Sequence, residues 1–347
     1  MKISKFLVGA FAALLLVNIS CSNNDDVEVV TYNGIFISNE GGFPSPSASV
    51  DFISSDLNTF KSDIYTASNN EILGGVLQGI YFWGNNAFLV LNNSNKIVVA
   101  DKYTFKKTAE ITSNLEYPRY IAFSGNQFYV TNNNFTVGTY KLNVYKTDNT
   151  FVKSINFDRY AEKVVEAGGN IVVQTDGYLY DFASGENVTT GHTITIVKPS
   201  TNEIDNVVTL PDSGIISDLV SYQGFAYALS STDTDSYIYK INPADGTFTT
   251  IDTNIPSVQK LRIDSGNFYF IDASNKVYSE NISSGTATNL LTATGSYIYG
   301  FDVIDGKIFV SDASFTGNST VYVYNASNGS LIKTFSSGTG TNGFYKN

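Results

Sequence analysis

One phrase recurs six times along this 347-residue chain. It is an apolar strand, a turn such as Gly-Asn, Asp-Gly or Gln-Gly, and an aromatic-rich strand ending in polar residues. It runs through Ile80–Asn93 (IYFWGNNAFLVLNN), Ile121–Asn133, Val164–Asp176, Leu219–Ser231, Leu261–Ala273 and Phe301–Ala313. Such turn residues accept the positive φ that tight hairpins need. A second hairpin follows each phrase, at Lys96–Ile111, Tyr140–Ile155, His192–Val208, Tyr237–Ile251, Lys276–Leu291 and Thr320–Phe335. Two hairpins make a unit of about 40 residues, the length of a four-stranded propeller blade. One such unit cannot bury its faces alone and must stack on its neighbours.

The chain ends supply a seventh unit. Gly34–Asn39 (GIFISN) reads as a second strand, and Ala48–Ser54 and Lys61–Tyr65 read as the outer strands. The innermost strand is missing there, and Gly340–Asn347 is left over to provide it. Joining both ends in one blade closes the ring and removes exposed edges. The sequence therefore predicts an all-β fold, a seven-bladed β-propeller, as one domain over 34–347 with Tyr117–Lys153 in blade three. A six-bladed ring and an open two-sheet stack are the alternatives. The 23 Tyr and 24 Phe, set among abundant Gly, Asn, Ser and Thr, suit strands and turns.

Ahead of the repeats, Met1–Ser20 has a basic start (Lys2, Lys5) and an apolar run from Phe6 to Val17. That is a secretory signal, too short for a spanning helix. Cys21 follows directly, with the small Ser20 before it as a bacterial lipobox requires; Asn18 stands where Leu is usual. We expect a signal peptide over 1–20, lipidation at Cys21, and an acidic linker over 21–33. The alternative is a cleaved signal with an incidental cysteine. Cys21 is the only cysteine and His192 the only histidine. No intrachain disulfide and no multi-His metal site can form, and Ser-His-Asp chemistry would have to use His192. A formal charge of −11 argues against a nucleic-acid partner.

Propeller geometry gathers two sets of residues at one mouth of the central channel. Those just before the inner strands are Gln78, Arg119, Tyr120, Lys163, Asp218, Lys260 and Tyr299. Those after the second strands are Asn39, Glu40, Asn92, Asn93, Asn132, Asn133, Gln174, Tyr178, Asp272 and Asp312. Amides and tyrosines offer hydrogen bonds and flat apolar area together, which suits a polar small molecule. Asn and Asp after a strand also cap turns, which is the plainer role. Arg119 needs a partner near a closed axis, and Glu40 or Glu162 can provide it. The longest insertion, Asp176–Thr193, carries Tyr178, Tyr180, Phe182 and His192. It is either a flap over the mouth or an irregular surface loop. His192 is expected to begin a strand rather than bind metal.

The wording of the blades resembles a family. Asn39–Ser54 (NEGGFPSPSASVDFIS), Gln78–Asp101, Tyr117–Asn132 (YPRYIAFSGNQFYVTN) and Asn342–Asn347 (NGFYKN) resemble the YncE-like propeller lipoproteins of Bacteroidetes. The likeness covers essentially the mature chain and is strongest over Gly34–Asn132. Ser22 to Asp26 is similar to the acidic signal that sends such lipoproteins to the cell surface. Some relatives capture cobalamin and hand it to a TonB-dependent transporter. The resemblance thus implies an outer-membrane, surface-exposed lipoprotein that binds a scarce nutrient at the mouth. Cobalamin is the leading ligand, and haem, a siderophore or a glycan fragment are the others. No cofactor is required beyond a possible bound corrinoid, and the membrane is touched only through the lipid. A protein-interaction or adhesion propeller is the second reading. A metal-dependent, lactonase-like enzyme is the third, with oxygens from Glu40, Asn92, Asn132, Asp218 and Asp272. Ser231–Ser236 (STDTDS) is similar to a calcium loop but lacks the glycine and the terminal Glu.

Overall fold

Among the described residues, seven four-stranded antiparallel sheets stand around a central channel, with one two-stranded hairpin added. The computed structural model describes residues 30–42, 46–181 and 185–347. The leader, Cys21, most of the linker expected over 21–33, and Phe182 lie outside the described residues. The propeller unit spans Tyr32–Asn347.

From blade 2 onward, strands run in chain order from the channel outward. The inner strands of blades 2 to 7 are Leu77–Trp83, Pro118–Ser124, Val164–Ala167, Ile215–Tyr222, Val258–Asp264 and Ile298–Ile304. Blade 1 is built from both ends: the last strand, Thr341–Lys346, pairs antiparallel with the first, Gly34–Asn39. The turns between first and second strands lie on the face away from the mouth. There Gly84 and Gly125 both sit at φ 59°, where a side chain is disfavoured.

The outer part of blade 1 departs from expectation. Lys61–Tyr65 is not a strand; the outer strand is only Phe60–Lys61, and a helix spans Ile64–Asn69. Asp63 starts the helix, its carboxylate accepting from the Thr66 N–H at 3.3 Å. Ile64 and Tyr65 are buried beneath it. The Asn69 amide donates to the Tyr65 and Phe105 carbonyls, tying the helix to blade 2.

An apolar layer fills each gap between neighbouring blades, seven in all among the described residues. Between blades 2 and 3, for example, Phe88, Val90 and Val99 meet Ile121, Phe128 and Val130. Burying one such side chain is worth roughly 1.5–3 kcal/mol. These layers hold the ring together, and the channel itself is left for polar groups.

Candidate functional site at the channel mouth

The inner strands are irregular at their mouth ends, and this builds the site. In blade 2, Gln78 is an extra residue between the pairs Leu77↔Leu91 and Gly79↔Val90. Ser217, Gln259 and Asn342 are extra in the same place in blades 5, 6 and 1. In blades 3 and 7 two residues bulge, Arg119 with Tyr120 and Tyr299 with Gly300. There the opposing residue is a hydroxyl that accepts the freed N–H: Thr131 from Tyr120 at 3.1 Å, and Ser311 from Gly300 at 2.7 Å. A bulge bends the strand and re-aims its side chains. Here it turns Gln78, Ser217, Asn342, Arg119, Tyr120 and Tyr299 to the channel mouth, while Gln259 lines a separate groove beside the loops of blades 5 and 6.

The result is a ring of charge. Arg119 donates to the Glu162 carboxylate at 2.9 Å and to the Gln78 carbonyl oxygen at 2.8 Å. Glu162 also accepts from the Asn133 amide at 2.8 Å. Lys163 pairs with Asp218, which also accepts from Arg262 at 2.8 Å; Arg262 reaches on to Asp302 at 3.0 Å. Glu40 accepts from the Tyr299 hydroxyl at 2.7 Å and the Asn342 amide at 3.0 Å. Burial raises Glu40 and Asp302 above ordinary carboxylates. Burial also works on Asp218, but Lys163 and Arg262 outweigh it and hold that carboxyl well below the usual range. Burial and the neighbouring Lys163 bring Lys260 down to about 8.

A cavity of about 180 Å³ opens at this ring, lined by Glu40, Gln78, Tyr120, Lys163, Ser217, Asp218, Lys260, Arg262, Tyr299, Asp302 and Asn342 to Tyr345. Aromatic clusters flank it on two sides, and of their rings Phe135, Tyr297 and Phe315 are exposed. Tyr117, Phe135, Tyr160 and Tyr140 form one chain, with centroids 4.9 to 6.2 Å apart. Tyr297, Tyr299 and Phe315 form the other, 5.6 to 5.9 Å apart. Tyr297 and Phe315 are 53% and 45% exposed, so this patch faces outward.

The insertion at Asp176–Thr193 is not irregular. Tyr178–Asp181 pairs with Glu186–Thr189 in a short hairpin. A groove of about 790 Å³ separates it from loops of blades 5 and 6. Tyr178 stands exposed along this groove rather than in the channel. His192 precedes its strand, which starts at Thr193, and sits at φ 52° between two acids. Its Nδ1 lies 3.7 Å from Asp176 and its Nε2 3.4 Å from Asp212, ion-pair rather than hydrogen-bond geometry. Burial alone would depress this imidazole, but Asp176 and Asp212 raise it to about 9.

Eight expected residues meet at the mouth: Glu40, Gln78, Arg119, Tyr120, Lys163, Asp218, Lys260 and Tyr299. Arg119's carboxylate partner is Glu162, not Glu40. The residues after the second strands otherwise serve the loops. Asn39 is fully buried among Ser49, Asp51, Ser337 and Thr341. Asn92 donates to the Pro118 carbonyl, and Asn132 accepts from the Glu116 N–H. Gln174 donates to the Ile216 carbonyl. Asp272 accepts from the Ser274 and Lys276 N–H groups, and Asp312 from those of Ser296 and Tyr297. Asn133 acts one step back, through Glu162, and Asn93 is exposed in a turn. Asn and Asp at strand ends satisfy backbone groups there, and that need has won. The oxygens weighed for a metal therefore do not converge. Asn92, Asn132 and Asp272 are committed to loops, and no group of three or more His, Cys, Asp or Glu is gathered for a metal among the described residues. Ser231–Ser236 is a turn bonded to itself, with Thr232 Oγ1 accepting from Asp235 N–H at 3.0 Å.

Arg262, Asp302 and Asn342 were not expected. A signal for two of them was present. When the phrases are aligned, LRID and FDVI place Arg262 and Asp302 where IYFW, IAFS, VVEA and LVSY place Tyr81, Ala122, Val165 and Val220. A charge at a position uncharged in those four phrases marks the channel.

Fold and mouth define the class: a seven-bladed β-propeller closed by its own termini, with an ion-paired polar mouth. The chain belongs to the DUF5074 family, a domain of unknown function, whose sequence profile spans residues 33–346. Among solved structures, it resembles a quinonprotein alcohol dehydrogenase-like protein from Bacteroides thetaiotaomicron, with TM-score 0.67 and 14% identity over 90% of this chain and 78% of that one. Apo AztD from Citrobacter koseri gives TM-score 0.57 at 14% identity, covering 91% and 98%. The computationally designed Ika8 protein gives 0.57 at 12%, covering 91% and 92%. At these identities the likeness concerns the fold alone. A search of curated protein sequences gives no match.

Proposed function

We propose that this protein is a non-catalytic capture protein, held by a lipid on Cys21 at the outer face of the outer membrane. It binds a small nutrient at the propeller mouth and passes it to a TonB-dependent transporter. The observation that carries the reading is the mouth itself, a polar channel opening flanked by two aromatic patches on one face. Rings give flat apolar contact, and the opening gives directed hydrogen bonds and charge. Cobalamin remains the leading ligand. A corrin ring is far larger than a cavity of about 180 Å³, so it would lie across the face on the rings, with only a side group entering the channel.

Titration of the full-length protein with cyanocobalamin, followed by calorimetry, tests this. We expect saturable binding without chemical change, and a loss of about tenfold or more in the double variant Tyr297→Ala, Phe315→Ala, as removal of two stacking rings entails. Absence of binding, or equal binding by the variant, contradicts the assignment. The anchor is tested separately: Cys21→Ser should move the protein out of the membrane fraction, and continued membrane association would refute it. An interaction or adhesion propeller is the second reading, favoured by the exposed Phe135 and Val137 on one mouth loop. It predicts no small-molecule binding in the same titration.

A further inference from the structure

We propose that Lys260 and Ser217 form a subsite for one anionic group, a carboxylate or a phosphate, of the ligand captured at the mouth; this rests on the capture reading above. The channel mouth holds four cations, Arg119, Lys163, Lys260 and Arg262, and four carboxylates, Glu40, Glu162, Asp218 and Asp302. Arg119 is matched with Glu162, and Lys163 and Arg262 with Asp218 and Asp302. Glu40 is satisfied by two neutral donors, Tyr299 and Asn342. Among the described residues, Lys260 is then the one channel cation with no carboxylate oxygen within 4.0 Å. Its ammonium, which carries three donors, rests only over the Tyr299 ring, 5.7 Å from the centroid. Lys260 is half-buried, so its ammonium opens into the cavity, where a charge held among few solvating groups gains from a pairing anion.

A second, independent observation points to the same place. Ser217 Oγ is buried with no hydrogen-bond partner, and Ser217 lines the same cavity as Lys260. Ser217 is there because the inner strand of blade 5 bulges at that residue. Ser217 and Lys260 thus line one small cavity, the hydroxyl without any hydrogen-bond partner and the ammonium without a carboxylate. An oxyanion supplies acceptors to both. The cavity suits a carboxylate or phosphate group rather than a whole ligand.

The groups facing Lys260 set its pH dependence. Lys163 and Arg262 make its charge harder to hold, while Asp218 and Glu40 favour it. With Lys260 titrating at about 8, anion binding should weaken as pH rises through that value.

The test uses the full-length protein with inorganic phosphate and, separately, citrate, followed by calorimetry and thermal unfolding at about pH 7 and about pH 9.5. We expect at least one anion to bind saturably at the lower pH, and the preference between them identifies the group. Lys260→Gln should lose about tenfold or more, the cost of one charge-assisted hydrogen bond, while Lys260→Arg keeps most of the affinity and shows that the site is intact. Ser217→Ala should lose a smaller factor. The proposal is overturned if neither anion binds, if Lys260→Gln binds as the wild type does, or if affinity does not fall at the higher pH. Cyanocobalamin bound equally by wild type and Lys260→Gln would keep the capture reading and overturn the subsite. Lys260-dependent anion binding with no nutrient captured would do the reverse.

Discussion

Asp218 is the residue on which the charged ring turns. It is fully buried, and its two oxygens serve Lys163, Arg262 and the N–H groups of Leu219 and Leu261. Removing a buried carboxylate strands the cations it held, which costs more than the pair itself contributes. Asp218→Asn should therefore lower stability by about 3–5 kcal/mol in urea unfolding. A loss under about 1 kcal/mol would show that solvent reaches the ring and that the network is not enclosed. Because the folded carboxyl is held well below its ordinary 3.8, its contribution is present above that value and lost only in strong acid. At this scale the sequence was legible in one direction only. Residues before inner strands, such as Gln78 and Lys163, do meet at the mouth. Asn39, Asn132 and Asp312 look equally polar in sequence, yet backbone N–H groups claim Asn132 and Asp312, and the buried side chains of Asp51, Ser337 and Thr341 claim Asn39.

The hairpin Tyr178–Thr189 shows what happens at the scale of elements. Its length marked it as an insertion, but its internal pairing was hidden because YLYD and ENVT carry no alternation strong enough to name strands. What fixes its base is charge. Asp176 accepts from the N–H groups of Thr190 and Gly191 in the hairpin's return and from Ile216 of blade 5, and His192 links it to Asp212. His192 rises from 6.5 to about 9 on folding, so its cation stabilises the fold. That stability is fully present below 6.5 and is lost as pH rises through about 9. Between about pH 6 and about pH 10 the wild type should lose on the order of 1–3 kcal/mol, the lower end being favoured by the long contacts. His192→Gln should be flatter over that window in urea unfolding. An unchanged slope would remove His192 as the pin. The bulges were likewise invisible, except where Thr131 and Ser311 supply a hydroxyl opposite two re-aimed residues.

Across the whole molecule, architecture was the easiest thing to read. A hairpin phrase repeated six times, with a strand missing at one end and spare at the other, has few closed solutions. The pairing of Phe36 with Tyr345 and Ile37 with Phe344 is that closure. Function was less legible, because one scaffold accepts many ligands and the mouth owes its chemistry to a few residues per blade. The central claim is that the mouth, not the opposite face, is where this propeller works. Hydrogen exchange of the full-length protein with and without cyanocobalamin tests it directly. We expect new protection at Tyr117–Tyr120, Ser296–Tyr299 and Phe315, with none at the turns around Gly84 and Gly306. Protection confined to those turns, or none anywhere, would contradict it.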